Sequence, residues 1–218
     1  MKDSRIDSIL FDLDGTLTDP KEGIINSILY ALDKLQIQEK NINELVAFIG
    51  PPLRDSFKNR YNFSDELADK AMILYREYFS EKGLYENEVY SGIEELLGFL
   101  FSHKYKLFVA TSKPTLFSER ILKYFNLDKY FVGIVGSNLD NTRTDKTEVI
   151  SHVVSVHRLQ TKTSVMIGDR KHDIIGAKNN SMRSIAVTYG YGSLEEISLY
   201  KPDFIVNNCD ELKSILIN

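Results

Sequence analysis

The sequence contains a single cysteine, Cys209, among its 218 residues. One cysteine excludes an internal disulfide and any zinc site built on several cysteines, and it suits a reducing compartment. We expect Cys209 to be a small buried or half-buried thiol. The 4 histidines include no pair at the spacing of metal ligands, which disfavours a zinc hydrolase.

Long apolar runs and blocks of like charge are also missing from the sequence. No apolar run approaches the ~18 residues that a membrane span requires. Asp7 and Asp12 follow closely on the first residues, so the start has no uncharged segment of the secretory kind, and we expect a cytoplasmic protein. Lys and Arg number 27 against 31 Asp and Glu, a net charge of −4 without a basic stripe. We therefore expect neither nucleic acid nor a membrane as a partner.

What the sequence does contain is an alternation of short apolar runs with helical patterns. The predicted strands are apolar and end in turn or polar residues: 8–11, 106–110, 130–135, 164–167, 184–187 and 204–206. Helical patterns lie between them, for example over 115–125, 146–157 and 174–180. Strands that alternate with helices pair in parallel and are covered on both faces. We therefore predict an α/β fold with a doubly wound parallel sheet.

The interval from residue 20 to residue 85 departs from this alternation, because it contains helical patterns and no convincing strand. Four apolar residues recur there at helical spacing, Ile24, Ile28, Leu32 and Leu35. Ser64 is placed to cap a second helix. We predict a small all-helical domain over residues 20–85, inserted after the first strand of a core domain that comprises residues 1–19 and 86–218.

Acidic residues follow two of the predicted strands. Asp12 and Asp14 come directly after the first strand, and Asp169 and Asp173 follow the fourth. In open α/β sheets ligands bind beyond the carboxyl ends of the strands, and close carboxylates need a cation or a proton to offset their repulsion. A Mg²⁺ ion would let an ionised Asp12 approach a phosphate group, while Asp14 keeps a proton for a leaving oxygen. For either motif alone, a solvated turn or a helix cap is the simpler alternative.

These motifs, in this order, resemble the haloacid dehalogenase-like phosphohydrolases, especially the branch of phosphoglycolate phosphatases and 5'-nucleotidases with a helical cap. The resemblance covers nearly the whole chain, and it is carried by residues 11–17 (FDLDGTL), residues 109–112 (VATS), Lys146, and residues 167–169 (IGD) with Asp173. It implies a Rossmann-like core and a Mg²⁺-dependent phosphatase. The substrate would be a small phosphate monoester, phosphoglycolate or a nucleoside 5'-monophosphate, hydrolysed through an aspartyl-phosphate intermediate.

The resemblance also implies roles for the acidic residues. Asp12 would be the nucleophile, and Asp14 would protonate the leaving group and then activate water. Mg²⁺ would be held by Asp12, by the main-chain carbonyl of Asp14 and by Asp169. Asp173 would steady Lys146 or a metal-bound water.

The first motif closes with Thr-Asp-Pro at 18–20 where relatives often show Asp-Ser. We expect this change to alter the hinge into the cap.

Three further residues receive catalytic or substrate-binding roles from the same resemblance. Thr111 would hydrogen-bond a phosphoryl oxygen, helped by the Ser112 amide, and Lys146 would neutralise charge on the nucleophile and the phosphate. Many relatives carry this lysine in a Lys-Pro pair, which is true of Lys113 and not of Lys146. Lys113 is therefore a rival, and we favour Lys146 because it follows the third predicted strand and opens a helix.

The residues that could select the substrate are less clearly indicated by the sequence than the catalytic residues. Arg54 on the helical domain could grip an anionic part of the substrate, or it could belong to a solvated helix face; Arg143 is a second candidate. Tyr189 and Tyr191 flank Gly190 and could stack on a nucleobase or anchor a loop.

Two other classes of protein share parts of this pattern. A phosphomutase of the β-phosphoglucomutase type would use the same Asp12 and return the phosphoryl group to a sugar. A non-enzymatic regulator with a phospho-accepting aspartate also carries acids at a strand end, but without a helical insert. We expect the partner to be a small phosphorylated metabolite and the protein to be a monomer or a homodimer.

Overall fold

The computed structural model describes residues 6–140 and 142–217 of the chain. Residues 1–5, on which the expectation of a cytoplasmic location partly depends, lie outside this range. The chain forms two compact units, a core unit made of the residues up to Asp19 and from Val89 onward, and a helical unit, Pro20–Glu88. The helical pattern predicted a return to the core after residue 85, whereas the second part of the core unit begins at Val89. No helix in the described ranges has the length and apolar character needed to cross a membrane.

The strands of the chain pair as two sheets. In chain order they are β1 (Ser8–Phe11), β2 (Thr18–Asp19), β3 (Glu88–Val89), β4 (Lys106–Pro114), β5 (Phe131–Ser137), β6 (Ser164–Gly168), β7 (Arg183–Val187) and β8 (Phe204–Val206). The main sheet has the order β5-β4-β1-β6-β7-β8, and its neighbouring strands are parallel. Strands β2 and β3 form a separate two-stranded sheet. The predicted α/β fold with a parallel sheet is confirmed.

Helices follow the strands of the core unit and fill the helical unit. In chain order they are α1 (Lys21–Lys34), α2 (Leu53–Tyr61), α3 (Asp65–Tyr78), α4 (Ile93–Ser102), α5 (Thr115–Tyr124), α6 (Lys146–His157), α7 (Lys171–Asn179), α8 (Leu194–Leu199) and α9 (Cys209–Ile217). An apolar cluster joins the sheet to α6 and α7, with Leu10 and Met166 on the sheet side and Ile150 and Ala177 on the helix side. Leu10, Met166 and Ile150 each contribute ~1.5–3 kcal/mol on burial, which holds the two helices against the strands.

The helical unit contains α1, α2 and α3, with a 3-10 segment over Ile42–Phe48 and a π-helical turn over Phe79–Gly83. Its interior includes the aromatic rings of Phe57 and Phe63, which stack with their centroids 6.1 Å apart. Ser64 caps α3 as predicted, because its hydroxyl accepts a hydrogen bond from the Leu67 amide at 3.3 Å.

The register of β1 places the acidic motifs side by side. Phe11 is level with Val109 of β4 on one side and with Ile167 of β6 on the other. The residues that follow each strand therefore meet at one carboxyl edge. Strand order also reverses at β1, since β4 and β5 lie on one side of it and β6 to β8 on the other. This is the switch point where open α/β sheets bind their ligands.

Candidate active site

Lys146 bridges two buried carboxylates at the carboxyl edge of the sheet. Its Nζ lies 2.8 Å from Asp12 Oδ1 and 2.8 Å from Asp173 Oδ1, and it donates to the Ala110 carbonyl at 3.0 Å. Burial lowers the pKa of Lys146, but the charges of Asp12 and Asp173 outweigh burial and hold it above its ordinary value. Lys146 therefore places a fixed positive charge beside Asp12, the expected nucleophile.

The start of α6 explains why Lys146 reaches this place. Asp145 caps the helix, because its carboxylate accepts a hydrogen bond from the Thr147 amide at 2.8 Å. Lys146 is the first residue of the helix, and its stem passes beside α7 at Gly176. A Cβ on Gly176 would lie 3.0 Å from Lys146 Cγ, so the glycine leaves room for the lysine stem.

Asp12, Asp169 and Asp173 form a buried carboxylate cluster. Each offers one oxygen to a group whose members all lie within 4.8 Å of one another. Burial, then the charges of Asp173 and Asp12, raises the pKa of Asp169 to about 8. Burial likewise raises the pKa of Asp173 to about 6, against the opposing charge of Lys146. Carboxylate oxygens are the hard ligands that Mg²⁺ prefers, and burial opposes ionisation of these carboxyl groups. A divalent cation such as Mg²⁺ would offset their charge, so the cluster fits such an ion.

Asp169 lies just before α7, which begins at Lys171. Asp173 lies in the first turn, where its Oδ2 accepts the Arg170 amide at 3.1 Å. Gly15 packs directly on Asp169: its φ is +81°, and a Cβ there would lie 2.3 Å from Asp169 Oδ2. The turn after Asp14 therefore requires glycine.

Asp14 is paired with the other candidate lysine. Lys113 Nζ lies 2.9 Å from Asp14 Oδ2, and both side chains are largely buried. Asp14 Oδ1 is buried and has no hydrogen-bond partner among the described residues. Burial raises the pKa of Asp14, although Lys113 opposes the shift. Both candidate lysines pair with an aspartate of the first motif, Lys146 with Asp12 and Lys113 with Asp14, and the choice of Lys146 as the motif lysine stays a prediction.

Thr111 and Ser112 lie on the extension of β4 beyond the predicted strand end. Thr111 is 2% exposed, and its hydroxyl accepts a hydrogen bond from the Lys113 amide at 3.2 Å. The hydroxyl proton of Thr111 is therefore free to be donated elsewhere. Ser112 is half-buried.

The two arginines considered for substrate binding are held by neighbours within their own units. In the helical unit, Arg54 Nε lies 2.6 Å from Asp69 and its Nη2 lies 2.9 Å from Asp65. In the core unit, Arg143 donates to the Gly136 carbonyl at 3.0 Å. A substrate anion would have to compete with two carboxylates for Arg54, and substrate binding by Arg54 stays a prediction.

Tyr189 and Tyr191 anchor a loop, which is the second of the two alternatives considered for them. The Tyr189 hydroxyl donates to the Thr16 carbonyl at 3.0 Å, and the Tyr191 hydroxyl donates to Asp19. The Tyr191 amide donates to Asp169 Oδ2 at 2.7 Å, a support of the carboxylate cluster that the sequence analysis missed. The available signal was the Gly-Tyr-Gly sequence at residues 190–192, shortly after β7.

The chain is similar to known hydrolases and phosphatases over most of its length. Residues 9–187 match the family model described as haloacid dehalogenase-like hydrolase. A 5'-nucleotidase of Pseudomonas aeruginosa is 45% identical over 97% of this chain and 96% of its own length. A phosphoglycolate phosphatase of Vibrio parahaemolyticus is 28% identical over 99% of this chain and 98% of its own. The crystal structure of a predicted phosphatase from Clostridium acetobutylicum superposes with a TM-score of 0.95 at 47% identity, covering 98% of this chain and 99% of that one.

The chain belongs to the haloacid dehalogenase-like hydrolases, because the family model spans most of its length and the relatives match it nearly end to end. Within that family it is a hydrolase of the phosphatase class. The resemblance identified from the sequence motifs is confirmed.

Proposed function

We propose that this chain hydrolyses small phosphate monoesters with Mg²⁺ through an aspartyl-phosphate on Asp12. The observation that carries the proposal is the buried bridge of Lys146 between Asp12 and Asp173, with Asp169 in the same cluster. Such a cluster at the switch point of an α/β sheet combines a carboxylate nucleophile, a fixed positive charge and oxygen ligands for a cation.

The hydrogen bonds of Asp12 favour one of its oxygens as the nucleophile. Oδ1 accepts from Lys146 Nζ at 2.8 Å and from the Leu13 amide at 2.7 Å. Two donors hold Oδ1, so Oδ2 is the oxygen that attacks phosphorus. The new bond joins Asp12 Oδ2 to phosphorus, while the bond from phosphorus to the ester oxygen breaks.

Asp14 is suited to proton transfer at the leaving oxygen. Its Oδ2 is fixed by Lys113 and its Oδ1 has no partner among the described residues, so Oδ1 is the atom that carries the proton. Burial favours the protonated form of Asp14. Asp14 gives this proton to the departing alkoxide, and it then takes a proton from the water that attacks the aspartyl-phosphate.

The remaining residues act on the charge of the transferring group. Lys146 neutralises negative charge beside Asp12, and the Thr111 hydroxyl donates to a phosphoryl oxygen. Asp12, Asp169 and the main-chain carbonyl of Asp14 would hold Mg²⁺, and Asp173 keeps Lys146 in place. The bound ion supplies positive charge that offsets the phosphate and the carboxylates.

We propose nucleoside 5'-monophosphates as the preferred substrate class. The support is the greater identity to the relative named 5'-nucleotidase, 45%, than to the relative named phosphoglycolate phosphatase, 28%. Phosphoglycolate is the second candidate substrate.

A panel of phosphate esters tests both parts of the proposal. The purified chain is incubated with Mg²⁺ and with nucleoside 5'-monophosphates, phosphoglycolate or a hexose phosphate, and released phosphate is measured. We expect phosphate release that EDTA abolishes and that is fastest with nucleoside monophosphates. Faster turnover of phosphoglycolate would overturn the substrate class alone.

Two results would indicate the alternative functions. Conversion of a hexose phosphate to its isomer without free phosphate would identify a phosphomutase. Stable labelling of Asp12 by a phosphodonor, without turnover of any ester, would identify a phospho-accepting regulator. Restoration of activity by Zn²⁺ in a chain that Mg²⁺ fails to activate would overturn the cofactor assignment.

A further inference from the structure

The loop after β7 makes unusually close main-chain contacts with the carboxylate cluster. A Cβ on Gly190 would lie 2.2 Å from the Gly15 carbonyl oxygen and 2.5 Å from Asp169 Oδ2. A Cβ on Gly192 would lie 1.9 Å from the Asp169 carbonyl oxygen. Any side chain at these positions would displace main-chain atoms, so the loop and Asp169 fix one another's position.

The residue between these glycines completes the contact. The Tyr191 amide donates to Asp169 Oδ2 at 2.7 Å, and Thr16 Oγ1 lies 3.4 Å from Asp169 Oδ1. The amide therefore engages one carboxylate oxygen by a short bond, which sets the rotation of the carboxylate. The contact joins residues that are far apart in sequence and is made by main-chain atoms, so it does not depend on the side chain of residue 191.

The tyrosine side chains attach the same loop to the segment that follows the first motif. The Tyr189 hydroxyl donates to the Thr16 carbonyl at 3.0 Å, and the Tyr191 hydroxyl donates to Asp19. The ring of Tyr90 lies beside that of Tyr189, with centroids 5.0 Å apart. Burial raises the pKa of both Tyr189 and Tyr191, so both hydroxyls keep their protons and remain donors.

Asp19 closes the first motif, and its carboxylate accepts the hydrogen bond of the Tyr191 hydroxyl. The loop after β7 is therefore attached to the end of the first motif. The expected effect of residues 18–20 on the hinge into the helical unit stays a prediction.

We propose that residues 189–192 are a positioning element for the Mg²⁺ ligand Asp169. The two glycines and the Tyr191 amide set the position and rotation of its carboxylate, and the two tyrosine hydroxyls dock the loop on residues 16–19. This inference rests on the proposed function, because it takes Asp169 as a ligand of Mg²⁺. Residues that support a metal ligand in this way typically change metal affinity ~10–100-fold when substituted.

The experiment measures Mg²⁺ binding to the substrate-free chain by titration calorimetry, with the free energy of unfolding in urea as a second readout. We expect G190A to weaken Mg²⁺ binding ~10–100-fold. The matched control is G98A on α4, where a Cβ would meet only the Tyr130 hydroxyl at 3.7 Å, and this variant should bind Mg²⁺ like the wild type.

A second variant keeps the test decisive if G190A does not fold. The double variant Y189F/Y191F keeps both rings and the Tyr191 amide but loses both hydroxyl bonds, and we expect it to weaken Mg²⁺ binding less than G190A does. Unchanged Mg²⁺ affinity in a folded G190A, or in the double variant where G190A is unfolded, would overturn the inference. So would a wild type that binds no Mg²⁺, which also removes the cofactor from the proposed function.

The outcomes separate this inference from the proposed function. If the wild type binds Mg²⁺ and the variants bind it more weakly, the inference holds even where no phosphate ester is hydrolysed. If phosphate release is observed and the variants bind Mg²⁺ normally, the proposed function holds and the inference fails.

Discussion

Replacing Lys146 by methionine removes the charge that bridges Asp12 and Asp173 while keeping a side chain of similar length. The two carboxylates that lie 2.8 Å from its Nζ remain buried, and Asp169 lies in the same cluster. Removing one partner of a buried ion pair typically costs ~3–5 kcal/mol, because the other charge is left uncompensated. We expect K146M to lose stability in this range near neutral pH in the absence of metal.

The loss of stability in K146M should depend on pH, because the buried carboxyl groups titrate. Burial raises the pKa of Asp173 to about 6 against the opposing charge of Lys146, and without Lys146 this pKa should rise further. A carboxyl whose folded pKa is raised stabilises the folded state at low pH, and that contribution is lost as pH rises through the folded pKa. The difference between K146M and the wild type should therefore grow as pH rises above about 6, the folded pKa of Asp173 in the wild type.

Urea unfolding followed by circular dichroism at several pH values measures this difference. The control is K123M, which changes an exposed lysine on α5. Turnover of the best ester with Mg²⁺ is measured in parallel, and K146M should lower kcat by ~10²–10³-fold, the usual cost of one electrostatic donor. A K146M variant as stable as K123M across this range, with kcat unchanged, would refute the reasoning.

The remaining predictions concern other parts of the chain. D14N should lower kcat ~10²–10⁴-fold on alkyl phosphates and much less on p-nitrophenyl phosphate, whose leaving group needs no proton; equal losses on both esters would contradict the role of Asp14. Mg²⁺ binding to the wild type, followed by calorimetry, should tighten as pH rises from about 6 to about 8, because the ion displaces the proton of its ligand Asp169, whose pKa is raised to about 8; affinity that is constant over this range would contradict it. S64A should lower the free energy of unfolding of the helical unit by ~1 kcal/mol through loss of the α3 cap, and a variant that unfolds at the same urea concentration as the wild type would show that the cap is dispensable.

The strands and their acidic ends could be predicted because apolar runs that stop abruptly at Asp are local signals. The run at 8–11 and the strand β8 were predicted with the bounds that the structure has. Strand β4 was predicted to end at residue 110, but it continues to Pro114, across a register shift that lets Pro114 pair with Ser137. Polar residues 111–114 look like a loop in sequence, and pairing with a neighbour far along the chain decides their structure.

The start of α7 illustrates a second limit. The helix was predicted from residue 174, where the apolar spacing begins, whereas it begins at Lys171. Its first turn is polar and is stabilised by the Asp173 carboxylate on the Arg170 amide, which apolar periodicity does not register. Contacts between distant main-chain atoms, such as the Tyr191 amide with Asp169, leave no local pattern at all.

The sequence motifs predicted some contacts of the candidate site and missed others. The motifs pointed to Asp12, Lys146, Asp169 and Asp173, and the structure brings these four side chains together. Lys113 was considered only as a rival of Lys146, because sequence order cannot show which aspartate a lysine reaches. Lys113 lies on the part of β4 beyond Ala110, where it reaches Asp14.

The most direct test of the central claim is the detection of phosphate on Asp12 during turnover. The chain is mixed with its best ester and Mg²⁺, quenched rapidly in acid, digested and analysed by mass spectrometry, beside D12N and an exposed control, D128N. The account predicts a hydroxylamine-sensitive phosphoryl group on Asp12 in the wild type and in D128N. It also predicts a loss of turnover of ~10⁴-fold or more in D12N. Rapid turnover by D12N, or a phosphoryl group on another residue, would contradict the account.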